Sequence, residues 1–129
     1  MELSTVHCRR LKELGVSLLY LFGSYAEGTA SPLSDVDLGL VFAHGPVDHA
    51  VVYQPLYELC TELFPGRPVD LVFLQHASLE LRADAVCHGT VLYQASPDGR
   101  AAFEEAVMLA RADFAPLQRE MDRAILART

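Results

Sequence analysis

Residues 16–42 read VSLLYLFGSYAEGTASPLSDVDLGLVF, and this stretch decides the fold. One apolar run ends at Gly23-Ser24, a segment rich in small and polar residues follows, and Asp35-Val36-Asp37 opens a second apolar run. Short apolar runs separated by Gly, Ser and Pro are typical of buried β-strands joined by a loop. The sequence therefore predicts strands over 16–22 and 36–42.

Three aspartates stand beside apolar runs. A strand directs alternate side chains to one face, so Asp35 and Asp37 are expected to point the same way. Asp70 stands near the start of a third apolar run, residues 69–74. A lone aspartate pair often serves only capping or solubility. Three carboxylates placed in this way instead favour a shared site for a divalent cation, which would relieve their mutual repulsion.

Most of the remaining predicted elements are helices. Residues 3–14 carry a helical apolar stripe that Gly15 can end, and Pro55 either starts or kinks a helix whose apolar face is residues 56–63. The other predicted elements are a helix from Ser78 to His88 with Gly89 as its C-terminal signal, a strand over 90–93 and a C-terminal helical segment over 97–127.

The C-terminal helical segment carries a long apolar stripe from Phe103 to Ile125. Such a stripe is more often core than docking surface, so core packing is the favoured expectation. Pro116 falls inside the stripe and should kink or split the helix. If the second half projects, Leu117, Met121 and Ile125 become candidate contacts for a partner protein.

The chain has 129 residues, a net charge of −7 and 51% hydrophobic residues. This length and composition predict a single folded domain over 1–129. The acidic balance argues against independent nucleic-acid binding, and the apolar runs are too short to span a bilayer. Residues 1–15 have no apolar signal core, so a cytoplasmic location is expected.

Several other functions lack their sequence signals. The three cysteines form no CxxC pair and are expected to be reduced, packed thiols. The five histidines show no zinc-ligand spacing. The chain also contains no nucleophile-elbow motif and no Walker-type phosphate loop, which argues against a serine hydrolase and a P-loop ATPase.

The motif Gly23-Ser24, ten residues, then Asp35-Val36-Asp37, followed by Asp70, resembles the nucleotidyltransferase superfamily of the DNA polymerase β type. The wider strings resemble its minimal members, the MNT antitoxins of HEPN-MNT toxin-antitoxin pairs. The strings that carry this second resemblance are GSYAEGTA over 23–30, SDVDL over 34–38 and GRPVDLV over 66–72.

The resemblance implies an α/β (α+β) fold of the polymerase β-like nucleotidyltransferase type, with a small mixed β-sheet flanked by helices and a long C-terminal helix. It also implies an enzyme that binds ATP and two Mg²⁺ ions and transfers AMP to a hydroxyl group. Asp35 and Asp37 match the metal-binding carboxylates of the family. Asp70 matches the third carboxylate, which is expected to bind the catalytic metal and to help deprotonate the attacking hydroxyl. Gly23 and Ser24 match the turn that holds the β and γ phosphates, which suits a residue without Cβ beside a hydroxyl donor.

The acceptor that the resemblance implies is a tyrosine on a cognate HEPN ribonuclease toxin, with which the chain could also form an oligomer. One departure from the family is Glu27, where many relatives carry arginine near the phosphates or the partner. This departure keeps a non-enzymatic alternative open, in which the chain neutralises its partner by binding alone. A third alternative keeps the chemistry and transfers the nucleotide to a small molecule or an RNA end.

Overall fold

The computed structural model describes residues 2–23, 35–45 and 47–127, with the side chains of 114–118 and 125–127 left out. Helices and strands alternate in an irregular order along these residues. The elements are α1 (Thr5–Glu13), β1 (Val16–Phe22), β2 (Val36–Phe42), α2 (His49–Leu63), β3 (Val69–Phe73), a 3-10 turn (Leu74–His76), α3 (Leu79–His88), β4 (Thr90–Gln94) and α4 (Pro97–Ala127).

The four strands form one sheet in the order β3-β2-β1-β4. Strand β1 pairs antiparallel with β2 and with β4, whereas β2 and β3 run parallel. A parallel pair needs a crossover connection, and α2 supplies it between β2 and β3. The predicted mixed sheet with flanking helices is therefore confirmed.

Each face of the sheet carries its own apolar cluster. On one face Leu38 and Leu40 of β2 pack with Leu11 of α1 and Leu59 of α2. On the other face Leu18, Tyr20 and Phe22 of β1 pack with residues of α3 and α4, among them Ala85 and Phe103. We call these the α1–α2 face and the α3–α4 face. Two buried faces explain why the central strands are almost uninterrupted apolar runs.

Burial also settles the character of one cysteine. Cys60 lies on α2 within the cluster of the α1–α2 face and has no exposed surface. This burial raises the pKa of its thiol to about 12, because the thiolate would lose its solvation. The prediction of a packed thiol therefore holds for Cys60 and is wrong for Cys87, which is exposed, while Cys8 is partly buried.

Some boundaries differ from the prediction for local reasons. Strand β3 ends at Phe73, because Leu74 begins the 3-10 turn instead of extending the strand. Pro55 lies inside α2 and does not start it. Gly89 follows α3 as predicted, but its φ is −83°, so it is not a left-handed cap. A Cβ at Gly89 would instead collide with the backbone carbonyl oxygen of Ala85.

Hydrogen bonds and an aromatic contact hold the first part of α4 against the sheet. The buried Tyr20 hydroxyl donates to Glu104 Oε1 at 3.1 Å, and Arg100 Nε donates to the same oxygen at 2.7 Å. The Phe103 ring lies 6.2 Å from the Tyr20 ring, and Val107 is buried. Core packing, as predicted, therefore applies to the stripe as far as Val107.

The rest of α4 does not follow the core prediction. Met108, Leu109 and Met121 are exposed, and the described side chains beyond residue 107 contribute nothing to the buried core. The backbone stays helical through Pro116, so the helix is not split there. The side chains of Leu117 and Ile125 lie outside the described part. None of the helices described here is long and apolar enough to cross a membrane.

Gly39 on β2 is expected to tolerate no side chain. A Cβ at this position would stand 2.8 Å from Cδ1 of Leu74, which is itself fully buried. We expect Gly39→Ala to lower the free energy of unfolding by about 1–3 kcal/mol, as overpacking of a filled core does. Denaturant unfolding should show this loss. The control is Gly45→Ala, where an added Cβ would meet no described residue within 4 Å, and an equal loss in both variants would contradict the explanation.

Candidate active site

The parallel pairing of β2 and β3 brings two of the predicted aspartates side by side. Asp37 and Asp70 are direct register partners, and neighbouring strands lie about 4.8 Å apart. On its other side, Asp37 is paired with Phe22 at the end of β1. Asp35 immediately precedes β2 and, two residues from Asp37, is expected on the same side. The three aspartates therefore lie at the same end of the sheet, near enough for the charges of Asp35 and Asp70 to act on Asp37.

The register also fixes the face on which the carboxylates lie. Val36 and Leu38 pack in the cluster of the α1–α2 face, so Asp37 between them points to the opposite face. Val69 and Leu71 contact the same cluster, which places Asp70 opposite as well. Both carboxylates consequently lie on the α3–α4 face.

Gly23 lies in direct proximity to Asp37. Its φ is +76°, a conformation that glycine adopts without strain. A Cβ added there would overlap Oδ2 of Asp37 and stand 3.2 Å from its Cγ. Gly23 is thus required by the carboxylate beside it, in addition to its predicted role in a phosphate-binding turn. Ser24 and Glu27 lie outside the described residues, so the expectations for both stay predictions.

At this end of the sheet, burial and neighbouring negative charges shift the pKa of Asp37. Asp37 is partly buried, whereas Asp35 and Asp70 are exposed. Burial is the largest cause that raises the pKa of Asp37, followed by the negative charges of Asp70, Asp35 and then Asp84. All four causes disfavour the ionised form of Asp37. A cation near Asp37 would act in the opposite direction.

Asp84 is the residue of this site that the sequence reasoning missed. It lies on α3 between Ala83 and Ala85, both buried, and is itself partly buried. The packing of α3 against β1 brings its charge close enough to affect Asp37. The only sequence signal is a single carboxylate among small buried residues of a helix. Its approach to Asp37 depends on how α3 docks, which helical periodicity alone does not give.

The chemistry of the donor set fits Mg²⁺, which binds carboxylate oxygens. Within residues 2–23, 35–45 and 47–127, however, no three or more His, Cys, Asp or Glu side chains form a ready-made metal cluster. Mg²⁺ is usually held by one or two carboxylates together with water and substrate phosphates, so a complete protein cage is not required. Asp37 and Asp70, which are register partners, are a pair that could hold such an ion, with Asp35 expected on the same side.

A second concave feature lies at the opposite end of β2. It is a small cavity of about 150 Å³ whose lining includes Phe42, Val47 and His49. The His49 ring stands 5.0 Å from the His76 ring. None of the described residues that line it carries a carboxylate. This cavity is therefore separate from the carboxylate site.

Comparisons with known proteins agree with this geometry. Residues 9–98 match the family described as polymerase β, nucleotidyltransferase. That match covers β1, β2, β3 and β4 and all four aspartates described above. The chain therefore belongs to the polymerase β nucleotidyltransferase family.

Within the family, the chain is similar to a protein adenylyltransferase and to a chain of a toxin-antitoxin structure. Protein adenylyltransferase MntA of Shewanella oneidensis is 35% identical over 83 residues, which are 64% of this chain and 58% of MntA. The chain thus matches less than two thirds of the length of that relative. A chain of a toxin-antitoxin crystal structure with AMP-PNP has a TM-score of 0.70 and 27% identity, over 91% of this chain and 94% of the other.

A further solved structure extends the likeness in fold. It is a complex of the tri-AMPylated HEPN toxin of Shewanella oneidensis with its MNT antitoxin. The TM-score is 0.61 at 23% identity, over 93% of this chain and 97% of the other. At this identity the similarity concerns the fold alone.

The pKa of Asp37 should depend on the charges of its three neighbouring aspartates to different extents. Replacing Asp70, Asp35 or Asp84 by Asn should each lower it, most for Asp70 and least for Asp84, since their charges affect Asp37 in that order. Carboxyl ¹³C NMR titration of the metal-free protein measures the pKa. Asp98→Asn, in the first turn of α4, is the control. A shift from Asp98→Asn as large as that from Asp70→Asn would contradict the described arrangement.

Removing the Asp70 charge should stabilise the metal-free protein, or leave its stability unchanged. Because the folded state raises the pKa of Asp37, the folded protein keeps this proton to a higher pH than the unfolded chain. Ionisation of Asp37 therefore lowers the free energy of unfolding as pH rises from the unfolded pKa of this group, near 3.8, through its folded pKa. In Asp70→Asn this decrease should be smaller.

Denaturant unfolding at a series of pH values tests this expectation. The free energy of unfolding of Asp70→Asn minus that of the native chain should grow over this pH interval and level off above it. Asp98→Asn should show no such growth. A clear loss of metal-free stability in Asp70→Asn would refute the convergence of charges.

Proposed function

We propose that this chain is a Mg²⁺-dependent protein adenylyltransferase that transfers AMP from ATP to a tyrosine hydroxyl of a cognate HEPN toxin and so acts as an antitoxin. The observation that carries the proposal is the pairing of Asp37 with Asp70 beside Gly23, on one face of the sheet. The relatives support the choice of reaction, since they include an adenylyltransferase and a toxin-antitoxin complex with an ATP analogue. The cytoplasm is the proposed location.

The proposed reaction displaces pyrophosphate from ATP. The acceptor oxygen forms a bond to the α-phosphorus, the bond from that phosphorus to the β-phosphate bridging oxygen breaks, and pyrophosphate leaves. Two bound Mg²⁺ ions would supply charge neutralisation at the phosphates and at the attacking oxygen. Asp35, Asp37 and Asp70 would hold these ions. Asp70 is also proposed to accept the proton of the acceptor hydroxyl, since it is the one exposed position of the outer strand β3.

The described residues also explain how the site would stay ready for substrate. Gly23 leaves space directly beside Asp37, where a side chain would displace the carboxylate. Together with Ser24, it is proposed to hold the β and γ phosphates through the backbone and the hydroxyl. Asp84 is close enough to add negative charge without being assigned a ligand role. The added charge would favour cation binding at Asp37.

The second candidate function is neutralisation by binding alone. The observation that favours it is the exposed apolar surface of α4, where Met108, Leu109 and Met121 are available for contact. A chain that binds its toxin through this helix would not need the carboxylates. Transfer to a small molecule or an RNA end has no comparable support among the described residues.

Intact mass of the cognate HEPN toxin after incubation with this chain, ATP and Mg²⁺ tests the proposal. We expect a gain of one or more AMP units. The double variant Asp35→Asn with Asp37→Asn should lose this activity by at least a hundredfold, because the charge that holds the ions is removed. Chelation of Mg²⁺ by EDTA should abolish the gain in mass, and excess Mg²⁺ should restore it.

Two controls separate the candidate functions. Asp98→Asn, at the opposite end of the sheet, should transfer AMP at the native rate. Complex formation with the toxin should be measured for every variant by size-exclusion chromatography. A toxin that gains no mass from the native chain, yet is neutralised equally by the native chain and the double variant, would favour binding alone.

A further inference from the structure

Strand β3 is an edge of the sheet, and its outer side carries no strand in the part of the chain described. It is also the strand on which Asp70 lies. We propose that an extended segment of the modified partner pairs with the outer edge of β3 and in this way delivers its acceptor hydroxyl to Asp70. This inference rests on the proposed function and names how the same site would take its protein substrate.

The hydrogen-bond phase of β3 shows which backbone groups are available. The Val36 N–H donates to the Pro68 carbonyl at 2.8 Å. In a parallel ladder alternate residues of a strand bond to the same neighbour, so Asp70 and Val72 also direct their N–H and C=O groups toward β2. The outward groups are therefore those of Val69 and Leu71 and the N–H of Phe73, because the Phe73 carbonyl accepts the first hydrogen bond of the 3-10 turn.

An open edge of this kind readily accepts a further strand. Unpaired N–H and C=O groups in strand geometry are a template for another chain, and addition of an extended peptide to a sheet edge is a common mode of recognition. Side chains along β3 remain accessible, with Asp70 exposed and Leu71, Val72 and Phe73 only partly buried. As far as the described residues show, the edge is thus open on the side away from β2.

Strand pairing would solve the placement of the acceptor. A segment beside β3 would direct alternate side chains to the two faces of the sheet. The acceptor residue would lie on the α3–α4 face, as Asp70 does, about one strand spacing from Asp70. Its immediate neighbours would lie on the α1–α2 face, beside Phe73 and the exposed ring of Tyr53, whose centroids are 6.4 Å apart.

The chemistry of the two faces specifies the segment. The α3–α4 face presents Asp35, Asp37, Asp70 and Asp84, so basic residues two positions from the acceptor would be complementary in charge. The other face presents aromatic rings, which favour apolar or aromatic residues next to the acceptor. The occupant is therefore an extended, basic segment of the partner with a hydroxyl-bearing residue flanked by apolar ones.

Amide hydrogen exchange read by NMR tests the inference residue by residue. The complex is made with a partner whose acceptor tyrosine is replaced by Phe, so that it binds without being modified. In the free chain, the amides of Asp70 and Val72 should be protected and those of Leu71 and Phe73 should exchange quickly. Complex formation should slow exchange at Leu71 and Phe73 by at least tenfold, with much less change at Val72.

Each outcome of this measurement decides the matter. Failure to form a complex, unchanged exchange at Leu71 and Phe73 within a complex, or equal slowing along all of β3 would overturn the inference. Slowing that appears in the free chain as its concentration rises would assign the edge to a second copy and would also overturn it. AMP transfer without protection would leave the proposed function standing, whereas protection without transfer would refute that function and keep the docking edge.

A variant pair gives an independent kinetic readout. Leu71→Pro removes the outward N–H, and proline is tolerated on edge strands where that group faces away from the sheet. Leu71→Ala shortens the same side chain but keeps the N–H. We expect Leu71→Pro to raise KM for the partner about tenfold over Leu71→Ala, as loss of about one hydrogen bond would, with ATP affinity equal in both. Equal KM values in two folded variants would contradict strand pairing.

Discussion

The parallel pairing of β2 with β3 is the constraint on which the rest of the structure depends. It makes Asp37 and Asp70 neighbours, and it can form only because α2 crosses over one face and returns the chain in the same direction. The apolar residues on either side of Asp37 and Asp70 along their strands pack on the α1–α2 face. The two carboxylates therefore lie on the α3–α4 face. Fold and site are therefore consequences of one register, since a slip of β3 by one residue against β2 would turn Asp70 to the α1–α2 face, away from Asp37.

The sequence predicts much of this arrangement because its signals are local. The bounds of β1 and β2 follow from apolar runs with clear ends. Ser78 caps the N-terminus of α3 as expected, since its hydroxyl accepts from the Leu81 N–H at 3.2 Å. Leu74 shows where local pattern fails. Its side chain packs against Gly39 while its backbone begins the 3-10 turn, so the strand ends one residue earlier than hydropathy indicates.

The parts of the site that sequence reasoning could not supply depend on contacts between distant elements. Asp84 joins the other carboxylates only because α3 docks on the end of β1, a contact that the helical pattern does not encode. The contact between Gly23 and Asp37 likewise arises from strand pairing across the loop between them. A motif can thus identify Asp35, Asp37 and Asp70 as a group, whereas their surroundings require the packed molecule.

The glycine beside Asp37 has a consequence for how such a sequence can change over evolutionary time. If Gly23 served only a bound nucleotide, a lineage that abandoned catalysis would be free to replace it. Because a side chain there would displace the carboxylate of Asp37, the two positions are coupled sterically even without a nucleotide. Drift at Gly23 should therefore follow the loss or shortening of the Asp37 side chain, and a retained glycine is weak grounds for inferring that a descendant is still an enzyme.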